Sequence, residues 1–200
     1  MHNRFLNAIV LIAACALSTG ASAHIGIEHS EKTGFLTGFL HPVTGLDHLA
    51  AMVAVGLWSA LAARRAGPEL LWGPLGFASL LLAGALMGLQ GLTLPAVEPM
   101  IAASLLVLGL LVVTRQRLPG AAAAALVGAF AIFHGIAHGT ELASVDSAWQ
   151  TLAGMLSATA LLHAAGLALG WALRSANVWV PRMAGAAVAV FGTALLVQMT

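Results

Sequence analysis

The chain has 200 residues, of which 60% are hydrophobic and only 8% charged, with a formal net charge of +1. A soluble domain carries roughly 25% charged residues, so this composition excludes a protein whose whole surface faces water. The eight basic residues are scattered singly or in pairs, which excludes a basic patch for binding nucleic acid.

Residues 1–23 have the pattern of a secretory signal peptide, with Arg4 in a polar start, an apolar run and the ending Ala21-Ser22-Ala23. We expect cleavage after Ala23; the alternatives are retention as a membrane anchor and lipoprotein processing at Cys15. Cleavage would make His24 the N-terminus, whose free amine and imidazole can together chelate a metal ion, although a solvated tail is the simpler interpretation. Cys15 is the only cysteine, so the mature chain would offer a metal no thiolate.

The remaining residues, 24–200, are predicted to form a single transmembrane domain, because a membrane helix needs about 20 mostly apolar residues. The predicted fold class is all-α, a polytopic bundle of six helices. These are expected at about 42–63, 70–90, 98–114, 119–140, 149–173 and 179–199. The tryptophans stand mostly near the ends of these spans and are predicted to be interfacial anchors: Trp58, Trp72, Trp149, Trp171 and Trp179.

The arginines predict the orientation of the helices in the bacterial inner membrane. They follow the first, third and fifth predicted helices, at Arg64, Arg65, Arg115, Arg117, Arg174 and Arg182. The loops between them contain acids and no lysine or arginine. By the positive-inside rule the arginine loops are cytoplasmic, so the mature N-terminus is predicted to be periplasmic.

Ionisable residues within membrane spans are costly and indicate function, and the first group opens the first predicted helix. The helix is expected to begin at Pro42, with His41 just before it. His41 and His48 would lie about 10 Å apart along a helix, so both can bind one ion only if His41 folds back. Asp47 is either a further ligand, an acceptor that fixes an imidazole tautomer, or a helix cap. Met52 lies one turn beyond His48 on the same face.

The second group closes the fourth predicted helix. His134 and His138 are four residues apart, which places both imidazoles on one face about 6 Å apart, the spacing by which one helix offers two nitrogens to a metal. Glu141 extends the same stripe, or is an ordinary acid of the outer loop. Gly135 and Gly139 would let another backbone come close.

His163 stands alone in the middle of the fifth predicted helix, either as a hydrogen-bonded core residue or as part of an ion pathway. His48 and the pair His134 and His138 fall near the outward ends of their helices, so a shared metal site is predicted there. Nitrogen and carboxylate ligands without sulfur suit nickel, cobalt, zinc or cupric ions. The spacing alone names none of them.

These residues resemble the two signatures of the HupE/UreJ family of bacterial nickel permeases. The first signature is matched from His41-Pro42 through Gly45 and Asp47-His48 to Met52, and the second from Phe133-His134-Gly135 through Ala137-His138-Gly139 to Glu141. The resemblance implies import of nickel or cobalt for nickel enzymes such as hydrogenase or urease, without a prosthetic group. It further implies that His41, Asp47, His48, His134, His138 and Glu141 are the transport residues.

Two other functions are compatible with the same residues. Three histidines and an acid can hold zinc and activate water, as an intramembrane hydrolase would require. Haem ligation is the other, although two histidines four residues apart on one helix are poorly placed for opposite sides of one haem. The sequence contains no G-x-x-x-x-G-K-[ST] loop, so we do not expect ATP hydrolysis. A transporter, and not an enzyme, is predicted.

Overall fold

The computed structural model describes residues 34–199, so the predicted signal peptide and His24 lie outside the described residues. This part of the chain consists of α-helices, one 3-10 turn at Pro68–Leu70 and connecting loops, and it contains no strand. The helices are α1 (Phe35–Thr44), α2 (Leu46–Ala62), α3 (Trp72–Leu89), α4 (Val97–Thr114), α5 (Gly120–Leu142), α6 (Ala148–Leu173) and α7 (Trp179–Gln198).

Helices α3 to α7 are each long and apolar enough to cross a membrane. Helices α1 and α2 qualify only together, as one span that is bent by 80° at its break. The described residues therefore form up to six spans, which confirms the predicted all-α membrane helix bundle.

The first span departs from the prediction of one helix over 42–63. His41 and Pro42 lie inside α1, which ends at Thr44, and the chain turns at Gly45 before α2 begins. The short helix packs on α6 so closely that a β-carbon at Gly38 would overlap the carbonyl oxygen of Thr151. This tertiary contact outweighs the local preference of a residue before proline for extended backbone.

Small residues set the pairing of the other helices, as is usual where backbones approach closely in a membrane. Helix α3 packs along α5, α4 along α7, and α2 along α6. In the α3–α5 pair, a β-carbon at Gly135 would overlap the carbonyl oxygen of Leu81, and one at Gly139 that of Ala85. The close approach predicted at Gly135 and Gly139 is thus confirmed, and it fixes the helix that carries His134 and His138.

The two ends of the bundle differ in charge. At the arginine end, where α2, α4 and α6 end, lie all the arginines of residues 34–199. Arg174 and Arg117 donate hydrogen bonds to carbonyl oxygens of the last turn of α2, at 3.2 Å to Ala60 and 3.1 Å to Ala62. In the same region, hydrogen bonds from the backbone N–H groups of Arg65 and Arg64 lower the pKa of the Glu69 carboxyl below its ordinary value. We call the opposite end the histidine end.

Trp58 differs from the interfacial anchor predicted for the tryptophans. Only 2% of its surface is exposed, and its Nε1–H donates to the carbonyl oxygen of Gln116 at 2.9 Å. Helix α2 is surrounded by other helices, so a residue near its end is covered by protein and not by lipid headgroups. The other four tryptophans are between 43% and 66% exposed, as an anchor requires.

Candidate metal centre

Three imidazoles from separate helices meet at the histidine end. One ligand nitrogen each from His41 on α1, His48 on α2 and His138 on α5 lie within 4.8 Å of one another. His48 and His138 are buried and His41 is half-buried. Nitrogens bound to a single ion at about 2.0 to 2.1 Å are about 3 to 4 Å apart, so small movements would place all three around one ion. We call these residues the three-histidine cluster.

The bend at Gly45 brings His41 to His48. Along one straight helix the two would be two turns apart, whereas across the 80° bend their ring centroids are separated by 5.2 Å. A β-carbon at Gly45 would lie 3.3 Å from the carbonyl oxygen of His41 and 3.3 Å from Nδ1 of His48. Glycine therefore leaves the room that the turned chain and the imidazole both need.

Asp47 orients His48 and does not join the cluster itself. His48 donates to the Asp47 carboxylate from both its Nδ1–H, at 2.8 Å, and its backbone N–H, at 2.9 Å. In the neutral imidazole, a proton held on Nδ1 leaves the Nε2 lone pair free. Of the roles predicted for Asp47, the geometry corresponds to the acceptor that fixes a tautomer.

The free Nε2 of His48 points at Nε2 of His138, 2.8 Å away. Because the first nitrogen carries no proton, His138 must donate this hydrogen bond from its own Nε2–H. Its Nδ1 then has no proton and, among the residues that the structure describes, no hydrogen-bond partner. It lies 3.5 Å from Oε2 of Glu141. The Glu141 side chain is 48% exposed, so this acid lies where the cluster meets solvent.

His134 lies one turn deeper than His138 on the same helix and is fully buried. Its Nδ1–H donates to the carbonyl oxygen of Phe130 at 3.1 Å, so Nε2 of the neutral ring is also unprotonated. That atom has no partner within the described part of the chain. The rings of His134 and His48 are 5.5 Å apart. His134 is therefore next to the three-histidine cluster, on its inner side, and not within it.

The remaining predicted residues lie apart from the cluster. Met52 is packed in the hydrophobic core, and His163 is buried deeper in the bundle. Phe77 was not identified from the sequence, yet its ring lies 5.6 Å from that of His134 and 5.3 Å from that of His163. A phenylalanine in an apolar helix gives no signal that would have identified it.

The chain resembles known proteins along nearly its whole length. No solved structure gives a significant match. The chain is 43% identical, over 189 residues, to Protein HupE of Rhizobium leguminosarum bv. viciae, an alignment that covers 93% of this chain and 95% of that protein. The family model described as HupE / UreJ protein matches residues 12–195. The match takes in helices α1 to α6, most of α7 and all three histidines of the cluster, and this chain belongs to the HupE/UreJ family.

Proposed function

We propose that this protein is a permease that imports a divalent transition-metal ion, nickel or cobalt, across the bacterial inner membrane. The observation that carries the proposal is the three-histidine cluster, buried at one end of a bundle of membrane-spanning helices. Ionisable side chains inside a membrane mark ion pathways. Membership of the HupE/UreJ family supports the proposal, and the ion would supply a nickel enzyme such as hydrogenase or urease.

In this proposal the ion is the substrate, bound by His41, His48 and His138. Their imidazole nitrogens suit nickel and cobalt, and also zinc and cupric ions. Asp47 holds the His48 ring in place, as acceptors behind metal-bound imidazoles do. Glu141, exposed beside the cluster, would attract the arriving cation, and His134 would receive it next.

Binding of the ion requires one proton to move. The hydrogen bond between His48 and His138 places a proton between two nitrogens that would both face the ion. This proton must leave Nε2 of His138 when a metal binds there. The other ring nitrogen, Nδ1, can take a proton in exchange, and from there it faces Glu141 at 3.5 Å. The acid would thus stabilise the metal-binding tautomer of His138.

The histidine end is proposed to be periplasmic and the arginine end cytoplasmic, following the positive-inside rule. Single cysteines tested in the full chain, with Cys15 changed to Ser, measure this directly. We expect a membrane-impermeant thiol reagent added to spheroplasts to label the Ser144→Cys variant, between α5 and α6. The Ala66→Cys variant, between α2 and α3, should react only after the membrane is opened. Labelling in the reverse pattern would contradict the proposed orientation.

Accumulation of radioactive nickel by cells that lack their own nickel importers tests the function. Cells that express the protein should accumulate nickel well above cells with empty vector, and excess cobalt should compete more strongly than excess zinc. An absence of uptake above the vector for both nickel and cobalt, with the protein present in the membrane, would contradict the permease. A zinc-dependent hydrolase using the same histidines would then be the next hypothesis, since it predicts no accumulation.

A further inference from the structure

The transport residues of the proposed function do not include His163, whose position requires an explanation. It lies on α6 with 3% of its surface exposed, and its buried Nε2 has no hydrogen-bond partner among residues 34–199. Burying a polar group without a partner is costly, so such groups are uncommon and call for a reason. A core residue chosen only for packing would be apolar at this depth.

His163 is connected to the metal centre through Phe77. The phenyl ring contacts His134 on one side, at 5.6 Å between centroids, and His163 on the other, at 5.3 Å. Nε2 of His134 is likewise buried and without a partner in this part of the chain. Two imidazoles with free nitrogens are therefore in contact with one aromatic ring, one on the side of the cluster and one deeper in the bundle.

Further contacts connect His163 to residues nearer the arginine end. The carbonyl oxygen of His163 packs directly on Gly56 of α2, where a β-carbon would overlap it. Ser59 lies about one turn further along α2, and its buried Oγ finds no hydrogen-bond partner in the described helices and loops. A β-carbon at Gly73 would lie 2.6 Å from that oxygen, and Gly73 is one turn from Phe77 along α3.

Ser59 lines a cavity of about 340 Å³ at the arginine end. Its lining includes Arg64, Glu69 and Arg117. The two arginines outnumber the one carboxylate, so the cavity would not hold a cation strongly. Such a lining suits release of a metal ion into the cytoplasm better than its retention.

We propose that His163 is an inner station of the transport path, at which a single imidazole holds the ion between the three-histidine cluster and the cytoplasmic cavity. The inference rests on the proposed function and adds a route to it. From the cluster the ion passes His134 and the Phe77 ring to reach His163, and then Ser59 and the cavity. One imidazole binds less tightly than three, and a conducting site must be weak enough for the ion to leave.

The test uses the full chain with Cys15 changed to Ser, reconstituted in lipid vesicles containing a nickel-sensitive dye. The His163→Leu variant should keep equilibrium nickel binding, because the cluster is intact, while its initial uptake rate falls about tenfold or more. The His163→Cys variant should recover part of the rate, because a thiolate is also a nickel ligand. The Leu161→Cys variant, on the same helix at a residue whose side chain is 58% exposed on the surface of the bundle, is the matched control.

The introduced thiols give a second readout. A water-soluble thiol reagent should modify the His163→Cys variant, nickel should slow the reaction, and the Leu161→Cys variant should not react. The proposed role of His163 would be overturned if His163→Leu transported nickel at the wild-type rate, or if a folded His163→Leu variant lost nickel binding together with transport. It would also be overturned if nickel did not protect the thiol of His163→Cys. If His163→Leu does not fold, protection of the thiol by nickel decides alone. Absence of transport by the wild type would instead overturn the proposed function.

Discussion

Replacement of His138 by alanine is expected to reduce nickel accumulation to the level of cells without the protein. The substitution removes one of three converging nitrogens and also the hydrogen-bond partner of His48. The loss of an outer-shell partner alone typically lowers metal affinity about 10- to 100-fold, and loss of a ligand should exceed that. Radioactive nickel uptake, measured at equal amounts of protein in the membrane, gives the result.

The matched control is Asp146→Asn, which removes an exposed acid in the loop between α5 and α6, at the histidine end. It should leave uptake near the wild-type value. Uptake by His138→Ala close to that of this control would contradict a role for the cluster as the substrate site.

Two substitutions of Asp47 test in the same uptake measurement how this side chain supports the cluster. Asparagine keeps an oxygen that can accept from Nδ1 of His48 but loses the negative charge, whereas alanine removes the acceptor altogether. We expect Asp47→Asn to raise the nickel concentration for half-maximal uptake moderately, and Asp47→Ala to raise it by about 10- to 100-fold. Equal effects of the two variants would mean that the carboxylate acts through its charge and not by orienting the ring.

Replacement of Gly135 by alanine is expected to destabilise the bundle, although alanine favours helix over glycine by about 1 kcal/mol. The three nearest neighbours of the added methyl group would all be backbone atoms of α3, among them the carbonyl oxygen of Leu81 and the amide nitrogen of Ala85. Backbone cannot rotate away as a side chain can, so α3 and α5 must separate. Overpacking typically costs about 1 to 3 kcal/mol, which should appear as a lower melting temperature of the purified protein in detergent.

Gly128→Ala on the same helix is the matched control. There the closest neighbour of a β-carbon is the end of the Leu80 side chain, which can adopt another rotamer. We expect the melting temperature of this variant to be close to that of the wild type, and the melting temperature of Gly135→Ala to be well below both. If the two alanine variants had the same melting temperature, the close approach of α3 and α5 would not be a main source of stability.

The spans and their polar breaks could be predicted from hydrophobicity, because an apolar run of about 20 residues has few alternatives to a membrane helix. The spacing of His134 and His138 likewise follows from helix geometry alone. Neither the spans nor this spacing depends on which helices are neighbours, so both can be predicted from the sequence without knowledge of the fold.

The pairing of helices was not accessible in this way. A membrane helix is apolar on most of its surface, so hydrophobic periodicity does not mark the side that faces another helix. Trp58 illustrates the difficulty: its position near the end of a span predicts an anchor, whereas its burial depends on the helices around α2. Phe77 gains its importance only from the two histidines that other helices bring to it.

The sequence by itself determined that this protein is a membrane helix bundle of the HupE/UreJ type, with histidines where apolar residues are expected. Tertiary structure decided which of them meet. The 80° bend at Gly45 carries His41 back to His48, and the glycine contacts between α3 and α5 set the position of His138. His134, its neighbour in the motif, is left one turn deeper. The spacing of two residues in the sequence determines which side of their helix they share, but the meeting of three side chains from different helices depends on how those helices pack.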